Sequence, residues 1–177
     1  ALDKQRFQGA GQDGGDDLPL EIRIDLNKDA GTLAVTDTGI GMTREEIIAN
    51  IGTIAHSGSA EFARRAAESK GAALDGLIGR FGVGFYSVYM VADSVEVTTR
   101  SAQADAKAQV WTSDGRGAYT IREAGDEVAR GTRVLLKLKP DLAPQFTDPD
   151  LIKDVIKRHS NFLSFPILVN GERVNTV

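Results

Sequence analysis

Three glycines fall within seven residues, Gly79-Arg80-Phe81-Gly82-Val83-Gly84-Phe85, directly before an apolar run, Phe85-Tyr86-Ser87-Val88-Tyr89-Met90-Val91. This pattern lets the chain enter a helix through a bend almost free of side chains. The first N–H groups of a helix are unpaired and carry partial positive charge. Glycine lets phosphate oxygens come close to them. A second glycine turn, Asp37-Thr38-Gly39-Ile40-Gly41-Met42, lies upstream. Its carboxylate can accept a hydrogen bond from an exocyclic amine such as that of adenine. Its glycines keep the wall low, and Met42 offers a soft contact for a flat ring. The pair suggests a nucleotide site in two parts, one cradling phosphates and one reading a base.

Each turn also has an ordinary reading. Gly82-Val83-Gly84 can be a tightly packed helix entry. Asp37 can be a local cap within its own turn. The spacing G-x-x-G-x-G reverses the dinucleotide fingerprint, and no Gly-Lys-Ser/Thr occurs, so neither the Rossmann nor the Walker loop describes it. Thr132, after Gly131, opens a strand. Its hydroxyl can join a water network around a base, although threonine is common in strands for its shape alone.

Composition narrows the class. A chain of 177 residues with 41% hydrophobic and 26% charged residues can bury a proper core as one domain. The net charge of -4, with no run of Lys or Arg, disfavours a nucleic-acid partner. The absence of cysteine excludes disulfides and thiolate metal sites and fits a reducing compartment. No apolar stretch of about twenty residues is present to span a membrane. The N-terminus lacks the layout of a signal peptide. The histidines, His56 and His159, are not expected to form a metal site.

The chain is punctuated by strand and helix signals. Residues 1–7 read as the end of a helix running into a polar glycine loop. Leu20 to Leu26 alternates as a half-buried strand, Asn27 to Gly31 turns, and Thr32 to Thr36 returns as the second arm of a hairpin. Thr43-Arg44-Glu45-Glu46 is a capping box, so a short helix starts there with Ile47, Ile48 and Ile51 as its buried stripe. A polar helix from Ala60 to about Ser69 and a glycine-bounded stretch from Lys70 to Gly76 follow, with the character of a lid. Four strand segments, starting at Val95, Ala108, Tyr119 and Thr132, predict an antiparallel meander. Asp148 caps a helix with Pro149 in its first turn, and Leu151, Ile152, Val155, Ile156 and His159 form its buried stripe. Ile167 to Val169 makes a last strand, turning at Asn170-Gly171. Helices on either side of a run of strands predict an α+β two-layer sandwich, a mainly antiparallel mixed sheet with helices on one face.

The joint pattern carries a resemblance. Asp37 to Met42, Asn50-Ile51-Gly52-Thr53-Ile54-Ala55-His56-Ser57-Gly58, Ile78 to Asp93, His159-Ser160-Asn161-Phe162 and Phe165-Pro166-Ile167 resemble the ATP domain of the ninety-kilodalton heat-shock chaperones, across nearly the whole chain. The bacterial branch is the most similar and the mitochondrial branch next. The glycine turns are shared with the wider GHKL superfamily of gyrase, mismatch-repair and histidine-kinase ATPases. The resemblance implies a Bergerat-type ATP-binding fold forming one nucleotide-binding domain over residues 1–177, with a lid at about residues 52–78. It implies that Asp37 binds the adenine amine, that Gly41 and Met42 line the base pocket, and that Thr132 supports it through water. It implies that Asn50 contacts ribose or phosphate. Gly82, Val83, Gly84 and Phe85 would give backbone N–H groups to the phosphates. The parent protein would bind ATP/ADP with Mg²⁺ and hydrolyse ATP. It would close its lid, dimerise with a second copy, and act on unfolded client proteins, without nucleic acid or membrane, in the bacterial cytoplasm or alternatively the mitochondrion. A DNA topoisomerase or mismatch-repair ATPase is the alternative.

The chain departs from the family pattern in three places. Of the helix motif E-x-x-x-N-x-x-D-A, which supplies the general base and the Mg²⁺ ligand, only the final alanine matches, as Ala1. The domain is therefore expected to be incomplete at its N-terminus, and this fragment to bind nucleotide without turning it over. His56 stands where Lys or Arg is usual, and Arg80 where Gln is expected. Both are further nucleotide-binding candidates, and Arg80 is expected to restore the cation that His56 gives up.

Overall fold

The computed structural model describes residues 1–3, 5, 18–52, 83–103 and 105–176. Eight strands form one sheet in the spatial order β5-β4-β3-β6-β2-β1-β7-β8. The strands are β1 (Ile22–Asn27), β2 (Thr32–Asp37), β3 (Ala92–Arg100), β4 (Gln109–Ser113), β5 (Tyr119–Glu123), β6 (Gly131–Leu138), β7 (Ile167–Val169) and β8 (Glu172–Arg173). All neighbours are antiparallel except β1 and β7. The sheet is therefore mixed, as the α+β reading requires. The helices are α1 (Arg44–Ile47), continuing into a π-helical turn (Ile48–Gly52), a 3-10 helix (Val83–Met90), α2 (Ala143–Phe146) and α3 (Pro149–Ser160).

The first hairpin forms because its turn residues suit it. Asn27 Oδ1 accepts from the Ala30 N–H at 2.9 Å, and Gly31 takes a φ of 61°, a conformation open to glycine. The closing hairpin β7–β8 turns at Asn170 and Gly171, both with positive φ, the signature of a tight primed turn. The meander holds only in part. β3, β4 and β5 are consecutive neighbours, but β6 does not continue beside β5. It crosses back to pair with β3 on one side and β2 on the other. This return joins the two halves of the sheet and brings the start of β6 against the end of β2.

One face of the sheet is apolar. Register places Leu33, Leu136 and Val95 in one row and Val35, Val134, Val97 and Trp111 in the next. Residues two apart on a strand share a face, so both rows face the same way. Ile47, Ile51, Phe85, Val88, Tyr89, Ala143, Phe146 and Ile152 pack against this face, which gives the second layer. Ile156 closes a smaller cluster with Ile167 and Val169. An extra residue at Asp93 bulges β3, so that Ala92 and Val95 are both buried despite their odd spacing.

Three expectations about faces need correction. Ile48 is 39% exposed and stands off the core, because the helix widens to π geometry from Ile48 onward and turns that side chain away. Val155 and His159 lie on the solvent side of α3, which presents Ile156 as its buried residue. The segment Val83–Met90 is wound as a 3-10 helix, so Val83 and Gly84 begin the helix rather than precede it. With three residues per turn, Phe85 and Val88 eclipse each other, as do Tyr86 and Tyr89. The expected lid, its polar helix, and Gly79 to Gly82 fall outside the described residues.

Candidate functional site

The covered face turns polar in its last row. Asp37 on β2 lies opposite Thr132 on β6, and Thr132 lies opposite Thr99 on β3. Directly opposed side chains share a face, so the three groups stand side by side on neighbouring strands. Next to this row the apolar floor is incompletely covered. Val35, two residues before Asp37, remains 36% exposed although it belongs to the face that the helices cover. A carboxylate and two hydroxyls thus border an accessible apolar floor, the combination that suits a flat heterocycle with polar edges.

The first glycine turn is held rigidly around Asp37. Asp37 Oδ1 accepts from the Gly39 N–H at 2.9 Å. The Thr38 hydroxyl donates to the Pro19 carbonyl at 2.6 Å and accepts from the Glu21 N–H at 2.9 Å. Arg130, almost fully buried, donates through Nη1 to the Thr38 carbonyl and to the Gly39 carbonyl, the latter at 2.9 Å. Burial raises the Asp37 carboxyl above its ordinary value of 3.8, while the Gly39 N–H and the Arg130 charge pull the other way.

Glycine is required at Gly41, for a steric reason. A Cβ there would stand 1.8 Å from the Arg100 carbonyl oxygen, and the residue already has a φ of 61°. Met42, directly after it, donates its N–H to Thr99 Oγ1 at 3.0 Å and packs its side chain on the core. The Thr43 hydroxyl then accepts from the Glu46 N–H, and the Glu46 carboxylate accepts from the Thr43 N–H, closing the capping box.

Asn50 is exposed on the π-helical turn. That turn is tied to the 3-10 helix by the Tyr86 hydroxyl, which donates to the Ile51 carbonyl at 2.8 Å. Phe85 meets the single tryptophan, Trp111, edge-on at 5.8 Å and Tyr86 at 5.7 Å, so its ring belongs to the core. Trp111 lies opposite Val97, two residues before Thr99. The ring of Phe85, near the start of the 3-10 helix, is therefore packed in the row next to the polar one.

The structure brings Asp37 and Thr132 together, with Gly41 and Met42 joined to them through Thr99. Asn50 stands on the π-helical turn that Ile51 and Tyr86 tie to the 3-10 helix Val83–Met90. Gly82, Arg80 and His56 lie outside the described residues. Thr99, Arg130 and Val35 were not singled out from the sequence. The signal for Thr99 was its place as a polar residue continuing the inward alternation of Val95 and Val97. Nothing local marks Arg130 or Val35.

The model of the histidine kinase-, DNA gyrase B- and HSP90-like ATPases matches residues 17–124. The chain belongs to this ATPase family. It is 56% identical over 99% of its length to Chaperone protein HtpG of Oleidesulfovibrio alaskensis and covers 28% of that protein. It is 50% identical to Chaperone protein HtpG of Desulfitobacterium hafniense, covering 29% of it. To the mitochondrial Heat shock protein 75 kDa of Bos taurus it is 43% identical over its whole length and covers 25% of that protein. The chain thus spans under a third of the length of these relatives. The matched span carries Asp37, Gly41, Met42 and Thr99, while Thr132 follows beyond its end.

Among the described residues no cluster of three His, Cys, Asp or Glu side chains is placed to hold a metal. No described residue is therefore assigned to Mg²⁺. Among the same residues no helix is long and apolar enough to cross a membrane.

Proposed function

We propose that this chain is the nucleotide-binding domain of an ATP-dependent chaperone that assists protein folding. Asp37 accepts a hydrogen bond from the adenine amine, Thr132 supports the same edge, directly or through water, and Gly41 and Met42 flank the ring. Val35 and Val134 form the apolar floor. Asn50 meets ribose or phosphate, and the N–H groups from Gly82 to Phe85 receive the phosphates. Arg80 supplies there the cation that His56, in place of Lys or Arg, gives up. The observation that carries this reading is the cross-strand row of Asp37 and Thr132 beside the exposed Val35. The similarity to chaperones over the whole chain supports the chaperone setting over a DNA-acting one.

Clients, pairing of two copies, lid closure over about residues 52–78 and a cytoplasmic setting belong to this same proposal, as properties of a longer protein. Hydrolysis also belongs there, since the 177-residue polypeptide holds neither the glutamate nor the asparagine of the family's helix motif. We therefore propose that this polypeptide binds ATP and ADP without turning ATP over. Calorimetric titration with ADP tests the binding claim. Micromolar-range binding to the wild type that Asp37→Asn weakens by about tenfold to a hundredfold is the expected result, and no binding to either protein would reject it. Phosphate release from ATP and Mg²⁺ at a rate proportional to protein would reject the claim of inactivity.

A further inference from the structure

Thr99 is a fully buried polar residue in the inward face of β3, and its side chain is given no contact with the nucleotide in the reading above. Its single hydroxyl has three partners. It is 2.9 Å from the Gly131 carbonyl oxygen, 3.0 Å from the Met42 nitrogen and 3.0 Å from Thr132 Oγ1. A hydroxyl has one proton to give and two lone pairs to offer. The Gly131 carbonyl can only accept, so the Thr99 proton goes there. The Met42 N–H can only donate, so it takes one lone pair. The remaining lone pair faces Thr132, whose own hydroxyl must then be the donor. The 2.9 Å bond to the Gly131 carbonyl thus holds the Thr99 proton away from Thr132.

This accounting reaches the neighbouring position. With its proton committed to Thr99, the half-buried Thr132 has only lone pairs left to offer a ligand. Asp37, directly opposite on β2, is also an acceptor there. Two acceptors on adjacent strands suit a group with two N–H donors and oppose a carbonyl oxygen. We propose that Thr99 is a positioning residue that locks the Thr132 hydroxyl as an acceptor, so that the site selects a 6-amino purine over a 6-oxo purine. The inference rests on the nucleotide reading above and adds to it the residue that sets the polarity of the base edge.

The test compares affinities for ADP and inosine 5′-diphosphate, which differ at that one group, in the wild type, Thr99→Val and Thr99→Ser. The wild type is expected to prefer ADP, and Thr99→Ser to keep the preference because the hydroxyl remains. Thr99→Val releases the Thr132 proton to turn toward a 6-oxo group. The ratio of affinities should narrow by about threefold to tenfold, the worth of one neutral hydrogen bond. An unchanged ratio in folded Thr99→Val, or a wild type without preference, overturns the inference while leaving nucleotide binding in place. Should Thr99→Val fail to fold, neutron diffraction on the wild type decides. A deuteron on Thr132 pointing at Thr99 supports the inference, and one on Thr99 pointing at Thr132 overturns it. A wild type that binds neither nucleotide would sink the nucleotide reading and this inference with it.

Discussion

Gly131 and Asp37 touch backbone to side-chain position: a Cβ on Gly131 would stand 2.1 Å from the Asp37 carbonyl oxygen. The strand that carries Thr132 can therefore begin beside Asp37 only because its first residue lacks a side chain. Gly131 also takes a φ of 123°, which a residue with a Cβ adopts only under strain. Gly131→Ala should cost about 1–3 kcal/mol from the backbone conformation alone, and should separate Thr132 from Asp37. Thermal unfolding and ADP titration check both effects. A variant as stable and as tight-binding as the wild type would show that this contact does not position the site.

The Asp37 carboxyl is raised by burial, so its ionised form is disfavoured in the folded protein. Below its ordinary value of 3.8 the group is protonated in both states. As pH rises from there through the raised folded value, the folded state keeps the proton longer than the unfolded chain, so stability falls. Asp37→Asn removes this slope. Denaturant unfolding at several acidic pH values should show the variant gaining on the wild type across that window. The same variant should lose about 1.5–3 kcal/mol of nucleotide affinity, the worth of a hydrogen bond to a charged group.

The hydroxyl of Tyr86 satisfies the buried Ile51 carbonyl, and burial pushes the phenol well above its usual range. Tyr86→Phe removes that donor, a loss of about 1–3 kcal/mol. Faster backbone hydrogen exchange in the turn Ile48–Gly52 is expected along with it. Exchange unchanged there would mean that the turn does not depend on the 3-10 helix.

Arg80 is proposed to restore the phosphate-binding cation that His56 gives up. In a double-mutant cycle with His56→Lys and Arg80→Gln, the effects on ADP affinity should fail to add, by about 0.5 kcal/mol or more. Strict additivity would separate the two residues.

Much of the fold was legible in local sequence because its signals are local. Alternation marked β1 and β2, Thr43 and Glu46 marked the capping box, and Asp148 with Pro149 marked the start of α3. Each rests on chemistry between residues a few positions apart. The stripe of α3 was read too broadly, because helical spacing alone does not say how wide a face the sheet will cover. Val155 and His159 are at suitable positions but face water. The π-helical widening after Ile47 and the 3-10 winding of Val83–Met90 also depended on what lay opposite them. There Tyr86 reaches Ile51 and Phe85 reaches Trp111.

The same division holds for the site. The glycine turns and Asp37 stood out in the chain itself, since glycine at Gly41 and a carboxylate at the end of a strand are local chemical choices. That β6 returns between β3 and β2, and so sets Thr132 opposite both Asp37 and Thr99, was decided by strand pairing between segments far apart in the chain. Pairing of that range follows from how the whole apolar face is buried, and no short stretch of residues encodes it. The proton count at Thr99 comes from the same source, because its three partners come from two segments far from it in the chain, the turn at Met42 and the start of β6.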